Sequence, residues 1–308
     1  ISLGNNVGFF QAVATAVNSW FIRSRAMAMS IISAGSGLGG FILAPLFSFL
    51  VLNLGWRSAA IVVGLIVLLA LPAALELHRS PESRGLLPDG DVKAKLPATT
   101  KPVPLPVDFT VREALHTSAF WLLTLAVTTR MMVTAAIIVH MVPIMVWKNM
   151  DEAGGAYMVS LLALGSIGSR LLLGWISDRS SKPLISASGA VVGLLGLVAL
   201  LFAQSAEMIY VFVLGLAFTE GTIPVNWVIV GDFFGRKSFA TLRGLMSMVY
   251  SAGVFISPIY AGWIFDITRS YDLALVTFCV IFALSAIVFA ILRNPSPPKR
   301  DQAPQCEG

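Results

Sequence analysis

The chain is poor in charged residues and in cysteine. Charged side chains make up 12% of its 308 residues, against about 25% in ordinary soluble domains. Hydrophobic side chains make up 56%, which indicates a membrane protein. The two cysteines are Cys279, in an apolar run, and Cys306, in the polar C-terminal segment. They offer neither a metal-ligand spacing nor a disulfide framework, which excludes zinc chemistry and a disulfide-stapled fold.

Other motifs are also missing. Ile1 leads directly into apolar sequence without the parts of a signal peptide, and we expect that the sequence lacks its beginning. There is no Ser/His/Asp set, metal-ligand cluster or phosphate loop in a suitable context, so we expect neither an enzyme nor a bound cofactor or metal. "GSGLGG", residues 35–40, fits a dinucleotide-binding pattern, but its apolar surroundings favour a helix whose small residues permit close helix contacts.

Long hydrophobic runs dominate what is present. A spanning helix needs about 20 mostly apolar residues, and nine segments qualify, at 1–21, 27–53, 58–77, 118–147, 153–177, 183–204, 207–231, 244–264 and 272–293. A proline-rich polar segment separates the third from the fourth. We therefore predict a partial N-terminal bundle over 1–77, a cytoplasmic linker over 78–117, a six-helix bundle over 118–293 and a cytoplasmic tail over 294–308.

The positive charges predict the orientation. Of the 21 lysines and arginines, 16 fall on one side of the predicted membrane and three, Arg57, Lys148 and Arg269, on the other. Because positive charge stays in the cytoplasm, the C-terminus is predicted to be cytoplasmic. The net charge of +5 then reflects topology, and we expect the lipid bilayer rather than nucleic acid as the partner. Arg130 and Arg170 remain, and both lie inside predicted spans.

Two cytoplasmic loops and their flanking helices form an internal repeat. Residues 19–46 align with 232–259 at a constant offset of 213 without gaps. The alignment pairs Phe21 with Phe234, Arg23 with Arg236, Gly40 with Gly253 and Pro45 with Pro258. Parallel repeats of six-helix halves are a known transporter plan. If the first copy follows the fourth helix of such a half, three helices precede Ile1.

The sequence resembles the major facilitator superfamily, and more narrowly its monocarboxylate transporter and oxalate/formate antiporter branch. The resemblance rests on "GWISDRSSK" (174–182), on "RSPESRGLLPDGD" (79–91), and on "GDFFGRKSFATLRG" with "GVFISPIYAGWIFDITRSY". It implies an all-α membrane protein with nine transmembrane helices of an expected twelve, arranged in two bundles around a central cavity. It further implies a monomeric secondary transporter in the plasma (inner) membrane that moves a small organic anion with protons or a counter-anion.

Arg170 is the leading substrate-binding candidate. An arginine inside a span costs about 2.5 to 3.5 kcal/mol on insertion scales and usually marks a pathway, and its planar fork suits a carboxylate. The resemblance places it four residues before Gly174, where the monocarboxylate transporters hold the substrate carboxylate. A snorkelling arginine or a structural tie to Asp178 or Asp232 stays open. Those relatives carry an aspartate at the position of Ser166, so proton symport is not indicated there.

Further polar residues lie within the spans. Arg130 and Glu220 fall at similar depth, so they form either a structural pair or part of the route for substrate or protons. Glu220 is the proton-coupling candidate of this half. His140, near the outer end, is a second one, although a packing histidine is the alternative. Asn226 is a substrate-binding candidate or a helix contact.

The loop residues Asp178, Arg179 and Lys182 suggest a different role. A carboxylate and basic groups on a tight cytoplasmic loop can bind the end of a neighbouring helix in one state and release it in another. The resemblance implies a conformational latch, to which we add Arg23 and Arg236 of the repeated loops. Two other functions stay open at this point, namely the same fold carrying a neutral or cationic molecule, and a membrane receptor without a transport cycle.

Overall fold

Helices form the framework of the computed structural model, which describes residues 10–69, 71–72, 80–81, 86, 88–90 and 108–298. Over these residues the regular elements are helical, apart from turns and extended connections. The helices are α1 Phe10–Trp20, α2 Arg25–Leu68, α3 Val111–Leu115, α4 Ser118–Val139, α5 Met141–Trp147, α6 Glu152–Ser177, α7 Lys182–Leu201, α8 Ala206–Gly221, α9 Ile223–Phe234, α10 Phe239–Thr268 and α11 Asp272–Ile291, with a 3-10 turn at Pro88–Gly90.

The longest helix, α2, has a break inside it. Its 44 residues at 1.5 Å each would reach about 66 Å, twice the hydrocarbon core of about 30 Å. Gly55 interrupts the helical backbone with φ 75° and ψ 160°, a conformation that a residue without a Cβ adopts at little cost. The break falls between the spans predicted at 27–53 and 58–77, and residue 70 and residues 73–77 of the second lie outside the described part.

Fewer segments qualify as spans than the nine predicted. Within the described residues seven are long and apolar enough, at Phe49–Leu68, Ser118–Val139, Glu152–Ser177, Lys182–Leu201, Ala206–Phe234, Phe239–Thr268 and Asp272–Ile291. The difference of two arises at the N-terminal side: only residues 10–21 of the predicted span 1–21 are described, and the seven begin with Phe49–Leu68, so the predicted span 27–53 does not count separately. The predicted span 118–147 is also shorter, because His140 separates α4 from α5.

The helices after residue 117 pack together into one bundle. Helix α4 packs against α10 and α11, α8 packs against α6 and α7, and α7 joins the two groups through α11. One apolar cluster surrounds Phe120, Trp227 and Phe289. A second surrounds Ile137, Phe212 and Phe282 at the opposite end of the bundle. Arg130 and Glu220 therefore lie within helices whose neighbours are largely apolar.

Helix α2 meets this bundle along its first half. Ala26, Met29 and Ala34 are buried, mainly through contacts with α6 and α9, whereas Leu52 is 85% exposed. We call the end of the molecule that holds the first turn of α2 and the last turn of α6 the latch end.

Of the predicted linker 78–117, the described residues include the 3-10 turn and α3, which begins at a capping box formed by Thr110 and Glu113. The tail from residue 299 lies outside the described residues.

Candidate functional site

Arg170 connects two helices that belong to different parts of the chain. It lies on α6, and its Nη1 donates a hydrogen bond to the Ser33 carbonyl of α2 at 2.9 Å. Its Nη2 lies 3.5 Å from Oε2 of Glu220 on α8. The side chain is only 14% exposed, and its Nε has no hydrogen-bond partner among the described residues. The Arg170 guanidinium thus bridges α2 and α8, and its Nε–H remains as a donor without a partner among the described residues.

The salt-bridge partner of Glu220 differs from the one expected from sequence, and Arg170 is paired with Glu220 and not with Asp178 or Asp232. A structural pair between Arg130 and Glu220 was one expectation, but the salt bridge of Glu220 is made with Arg170. Arg130 forms no salt bridge with a described carboxylate; its Nη1 donates instead to the Thr219 carbonyl at 3.3 Å. The depth of two residues along their helices does not determine how each helix is rotated about its own axis. That rotation decides which side chains meet.

Arg130 is fully buried and is held by neutral groups. We orient the Asn226 amide with its oxygen towards Arg130, since the reverse would turn its NH₂ group towards the guanidinium donors. In this orientation Oδ1 accepts from Arg130 Nε at 3.2 Å and Nη2 at 3.1 Å, and Nδ2 donates to Ser186 Oγ at 2.8 Å. Asn226 is itself fully buried. Asn226 thus links Arg130 of α4 to Ser186 of α7, and its role in substrate binding stays a prediction.

These three charged groups give the interior a positive balance. Arg130 is 0% exposed, and the side chains of Arg170 and Glu220 are 14% and 9% exposed. With all three ionised, two positive charges face one negative charge inside the helical bundle. A buried charge without a partner is costly in low dielectric, so the cluster is suited to accept one further negative charge.

His140 lies apart from this cluster, where α4 ends and α5 begins. Its Nε2 is 3.0 Å from the Pro258 carbonyl, which only accepts, so Nε2 is the donor. In the neutral ring Nδ1 then accepts from the Tyr271 hydroxyl at 3.0 Å. Both nitrogens are occupied, as the packing alternative requires. Its role in proton coupling stays a prediction.

Asp178 caps the start of α2 across the latch end. Its Oδ1 accepts from the Ala26 N–H at 2.8 Å and its Oδ2 from the Met27 N–H at 3.0 Å. Both donors lie in the first turn of α2, where N–H groups have no partner within the helix. A carboxylate there also complements the positive end of the helix dipole. The contact joins the end of α6 to the N-terminal helices.

Asp232 forms a second connection at the latch end. Its Oδ1 lies 2.6 Å from Nη1 of Arg25, and its Oδ2 lies 2.8 Å from Nζ of Lys182. Burial lowers the pKa of the Arg25 guanidinium, and the nearby Asp232 carboxylate acts in the opposite direction. The predicted latch residue Lys182 therefore meets Asp232 of its own bundle, while Arg25, which the sequence interpretation did not single out, reaches across.

The two repeated loops are each bound by an aspartate. Asp89 accepts from the Arg23 N–H at 3.1 Å, and Asp108 accepts from the Arg236 N–H at 2.7 Å. The Arg236 side chain also donates to the Ser19 carbonyl at 3.0 Å. The equivalent positions Arg23 and Arg236 thus have equivalent backbone partners, and both partners lie in the predicted linker.

Arg179 is oriented away from the latch contacts. Its Nη1 donates to the Trp175 carbonyl at 3.1 Å, and its guanidinium lies 4.5 Å from the centre of the Trp175 ring. The side chain is exposed. In this conformation Arg179 contacts Trp175 of α6 and not a described neighbouring helix, and its role in the latch stays a prediction. Residues four apart lie on the same helix face, which is why Trp175 is within its reach.

One buried arginine was assigned to a loop by sequence. Arg243 precedes the predicted span 244–264, but α10 begins at Phe239 and includes it. Its side chain lies over the ring of Trp227 at 4.5 Å and is almost fully buried. A polar residue before an apolar run is a weak signal for a helix boundary, so hydropathy alone did not place Arg243 inside α10.

Known proteins share this architecture. FucP, a Major Facilitator Superfamily transporter whose crystal structure is in the outward conformation, aligns with a TM-score of 0.69 over 92% of this chain and 72% of its own, at 14% identity. At such low identity the likeness shows the fold alone. The chain is an integral, multi-pass membrane protein of this fold.

Relatives and a family model complete the comparison. Monocarboxylate transporter 12 of Rattus norvegicus is 25% identical over 311 residues, which cover 94% of this chain and 64% of the relative. Monocarboxylate transporter 11 of Homo sapiens is 27% identical over 289 residues, 88% of this chain and 58% of the relative. The chain thus spans less than two thirds of their length. A model described as Major Facilitator Superfamily matches residues 3–230 and again 156–307, and the chain belongs to that superfamily.

Proposed function

We propose that this chain is part of a secondary transporter that moves a small organic monoanion by alternating access, and that it is not an enzyme. The observation that carries the proposal is the cluster of Arg170, Glu220 and Arg130. It lies inside the bundle, and Arg170 also touches α2. The names of the relatives, which are monocarboxylate transporters, agree with this substrate class.

The charge balance favours a substrate with one negative charge. Two arginines and one glutamate leave one positive charge uncompensated, and a monocarboxylate brings the balance to zero. A dianion would leave a negative excess in a medium of low dielectric, where unpaired charge is costly. A neutral or cationic substrate would leave the excess positive charge in place or increase it.

Arg170 is the group that holds the carboxylate in this proposal. Its distance of 3.5 Å to Glu220 exceeds the roughly 2.7 to 2.9 Å of a charge-assisted hydrogen bond. The substrate carboxylate replaces this long contact with shorter ones and uses the spare Nε–H as a second donor. Glu220, once displaced, either stays ionised nearer to Arg130, which keeps the charges balanced, or takes up a proton, which leaves one positive charge and couples the cycle to protons. Protons or a counter-anion are the coupling partners of the cycle.

Arg170 also couples substrate binding to the movement of α2. The Nη1 donor that binds the Ser33 carbonyl belongs to the guanidinium that the substrate reorients. Substrate binding thus alters a contact between α2 and α6, and the Asp178 and Asp232 contacts at the latch end release when α2 moves away. We further propose that the latch end and the C-terminus are cytoplasmic, and that the protein acts as a monomer in the plasma membrane.

Uptake by the complete protein tests this function. Wild type, Arg170→Lys and Arg170→Ala are expressed in cells, and entry of labelled acetate, propionate and lactate is measured beside a neutral sugar. We expect saturable monocarboxylate uptake that is lost in Arg170→Ala and reduced at least about tenfold in Arg170→Lys, since one ammonium cannot replace a planar fork. Arg179→Lys, just beyond the C-terminal end of the same helix, is the matched control and should transport normally. Normal uptake by Arg170→Ala at normal surface expression would overturn the carboxylate clamp.

A further inference from the structure

Three buried polar side chains at the latch end have no hydrogen-bond partner among the described residues. They are Asn18 with both amide atoms, Ser30 with its Oγ and Ser177 with its Oγ. All three residues are 0% exposed. Buried polar atoms in native proteins are nearly always bonded, so three such residues within one region require an explanation.

Two of these side chains lie across the contact between the N-terminal helices and the C-terminal bundle. Asn18 on α1 places its Oδ1 against Gly231 of α9, and Ser30 on α2 places its Oγ against Gly174 of α6. A Cβ added at either glycine would collide with the facing oxygen. Ser177 follows Gly174 by three residues on α6 and therefore lies on the same helix face.

Charged contacts hold this interface together from its edge. Asp178 binds the first turn of α2, and Asp232 is 2.6 Å from Arg25. The three buried polar side chains destabilise the same interface. Each of them loses its hydrogen bonds to water when the latch end closes and gains no hydrogen bond from the described residues. When the helices separate at this end, water reaches these groups and restores those bonds.

We infer that Asn18, Ser30 and Ser177 set the ease with which the latch end opens. They destabilise the closed arrangement that the charged contacts favour, and so keep the two arrangements close enough in free energy to interconvert. The inference rests on the alternating-access cycle proposed above. Each unsatisfied side chain shifts the ratio of closed to open forms by about fivefold or more towards open.

Substitutions on the two sides of each contact should act in opposite directions. Asn18→Leu keeps the size of the side chain and removes its polar atoms, so it favours the closed form. Gly231→Ala places a Cβ against Asn18 and favours the open form. Ser30→Ala and Gly174→Ala form a second pair with the same opposite signs. A role in packing alone would weaken the closed form in all four variants.

Spin-label distances in the complete, membrane-reconstituted protein test the inference. Labels replace Ser24 and Ser180, which are exposed and lie before α2 and after α6 respectively, in a background without other cysteines. Wild type should show a short and a long distance. Asn18→Leu and Ser30→Ala should each raise the short-distance population at least about fivefold relative to the long one, and Gly231→Ala should lower it.

Thr128→Val is the matched control. The Thr128 hydroxyl is also buried and unbonded among the described residues, but α4 packs within the C-terminal bundle, so this variant should leave the distance ratio unchanged. If Asn18→Leu and Ser30→Ala leave the wild-type ratio unchanged or lower the short-distance population, the inference is wrong while alternating access stands. A single distance in wild type and all variants would overturn both proposals, and uptake measured in parallel separates a folding failure from either result.

Discussion

Replacing Glu220 with glutamine tests the exchange of carboxylates at Arg170 directly. The substitution keeps the shape of the side chain and removes its charge. If the substrate carboxylate displaces Glu220 from Arg170, the Gln variant binds the anion without that competition. If Glu220 also takes up the proton that accompanies the anion, the variant loses its dependence on a proton gradient. We therefore expect tighter binding together with loss of proton-driven accumulation.

The size of the effect follows from the distances. Arg170 Nη2 lies 3.5 Å from Glu220 Oε2, and at an effective dielectric constant of about 20 the attraction at this distance is about 4.7 kcal/mol. A substrate oxygen at about 2.8 Å would gain about 5.9 kcal/mol. The difference of about 1.2 kcal/mol corresponds to about sevenfold in affinity. Removing the competitor altogether should lower KM by about tenfold or more.

The assay is uptake of a labelled monocarboxylate into proteoliposomes that contain the complete protein. Initial rates are measured at several external pH values, with and without an inward proton gradient. For wild type we expect uptake that rises as the gradient increases. For Glu220→Gln we expect a lower KM at neutral pH, preserved exchange of internal for external substrate, and rates that do not depend on the gradient.

A control variant separates this effect from a general change in α8. Glu207 lies in the first turn of the same helix and is exposed, so Glu207→Gln should behave like wild type. If Glu220→Gln keeps the wild-type KM and pH dependence while Arg170→Ala abolishes uptake, Glu220 is not the competitor, and the reasoning from the salt bridge fails.

Three further results are expected. Asp178→Asn weakens the charge-assisted cap on α2, so a cysteine at the buried Ser33 position should react about two- to fivefold faster with an impermeant maleimide from the latch side; an unchanged rate would contradict the latch. Arg179→Ala should change uptake by less than about twofold, because an exposed side chain on its own helix contributes little, and a large loss would return Arg179 to the latch. His140→Phe should cost about 1 to 3 kcal/mol of stability, seen as a lower melting temperature in detergent, with an unaltered pH profile of uptake; a displaced pH profile would instead support proton coupling.

Helix content and the main spans follow from local sequence. Segments of about 20 apolar residues have few alternatives to a helix in a bilayer, because each backbone N–H and C=O needs a partner. The helices at 152–177, 182–201 and 272–291 lie within a few residues of the predicted spans. Breaks inside spans, as at His140 and Thr222, were not predicted, since hydropathy averaged over a window does not respond to a single residue.

Candidate residues could be chosen from sequence, but their partners could not. Arg170 and Glu220 stand out because ionisable groups are rare in spans, and Asp178 stands out in a basic loop. That Glu220 meets Arg170, and that Arg130 is held by Asn226, depends on how each helix is rotated about its axis and on the crossing of α6, α8 and α9. Those quantities are set by contacts between residues far apart in the chain.

The sequence by itself determined the class of the protein, most of its apolar spans and the ionisable residues that lie within them, because transfer of each residue into a bilayer is a local property. Only the tertiary structure decided that Arg170 bridges Ser33 and Glu220, that Asp178 caps α2, and that Arg179 does neither. The Arg170 and Asp178 contacts join residues that are distant in sequence, and the behaviour of Arg179 depends on the direction of its side chain. Such directions are fixed by the packing of whole helices, which no short stretch of sequence contains.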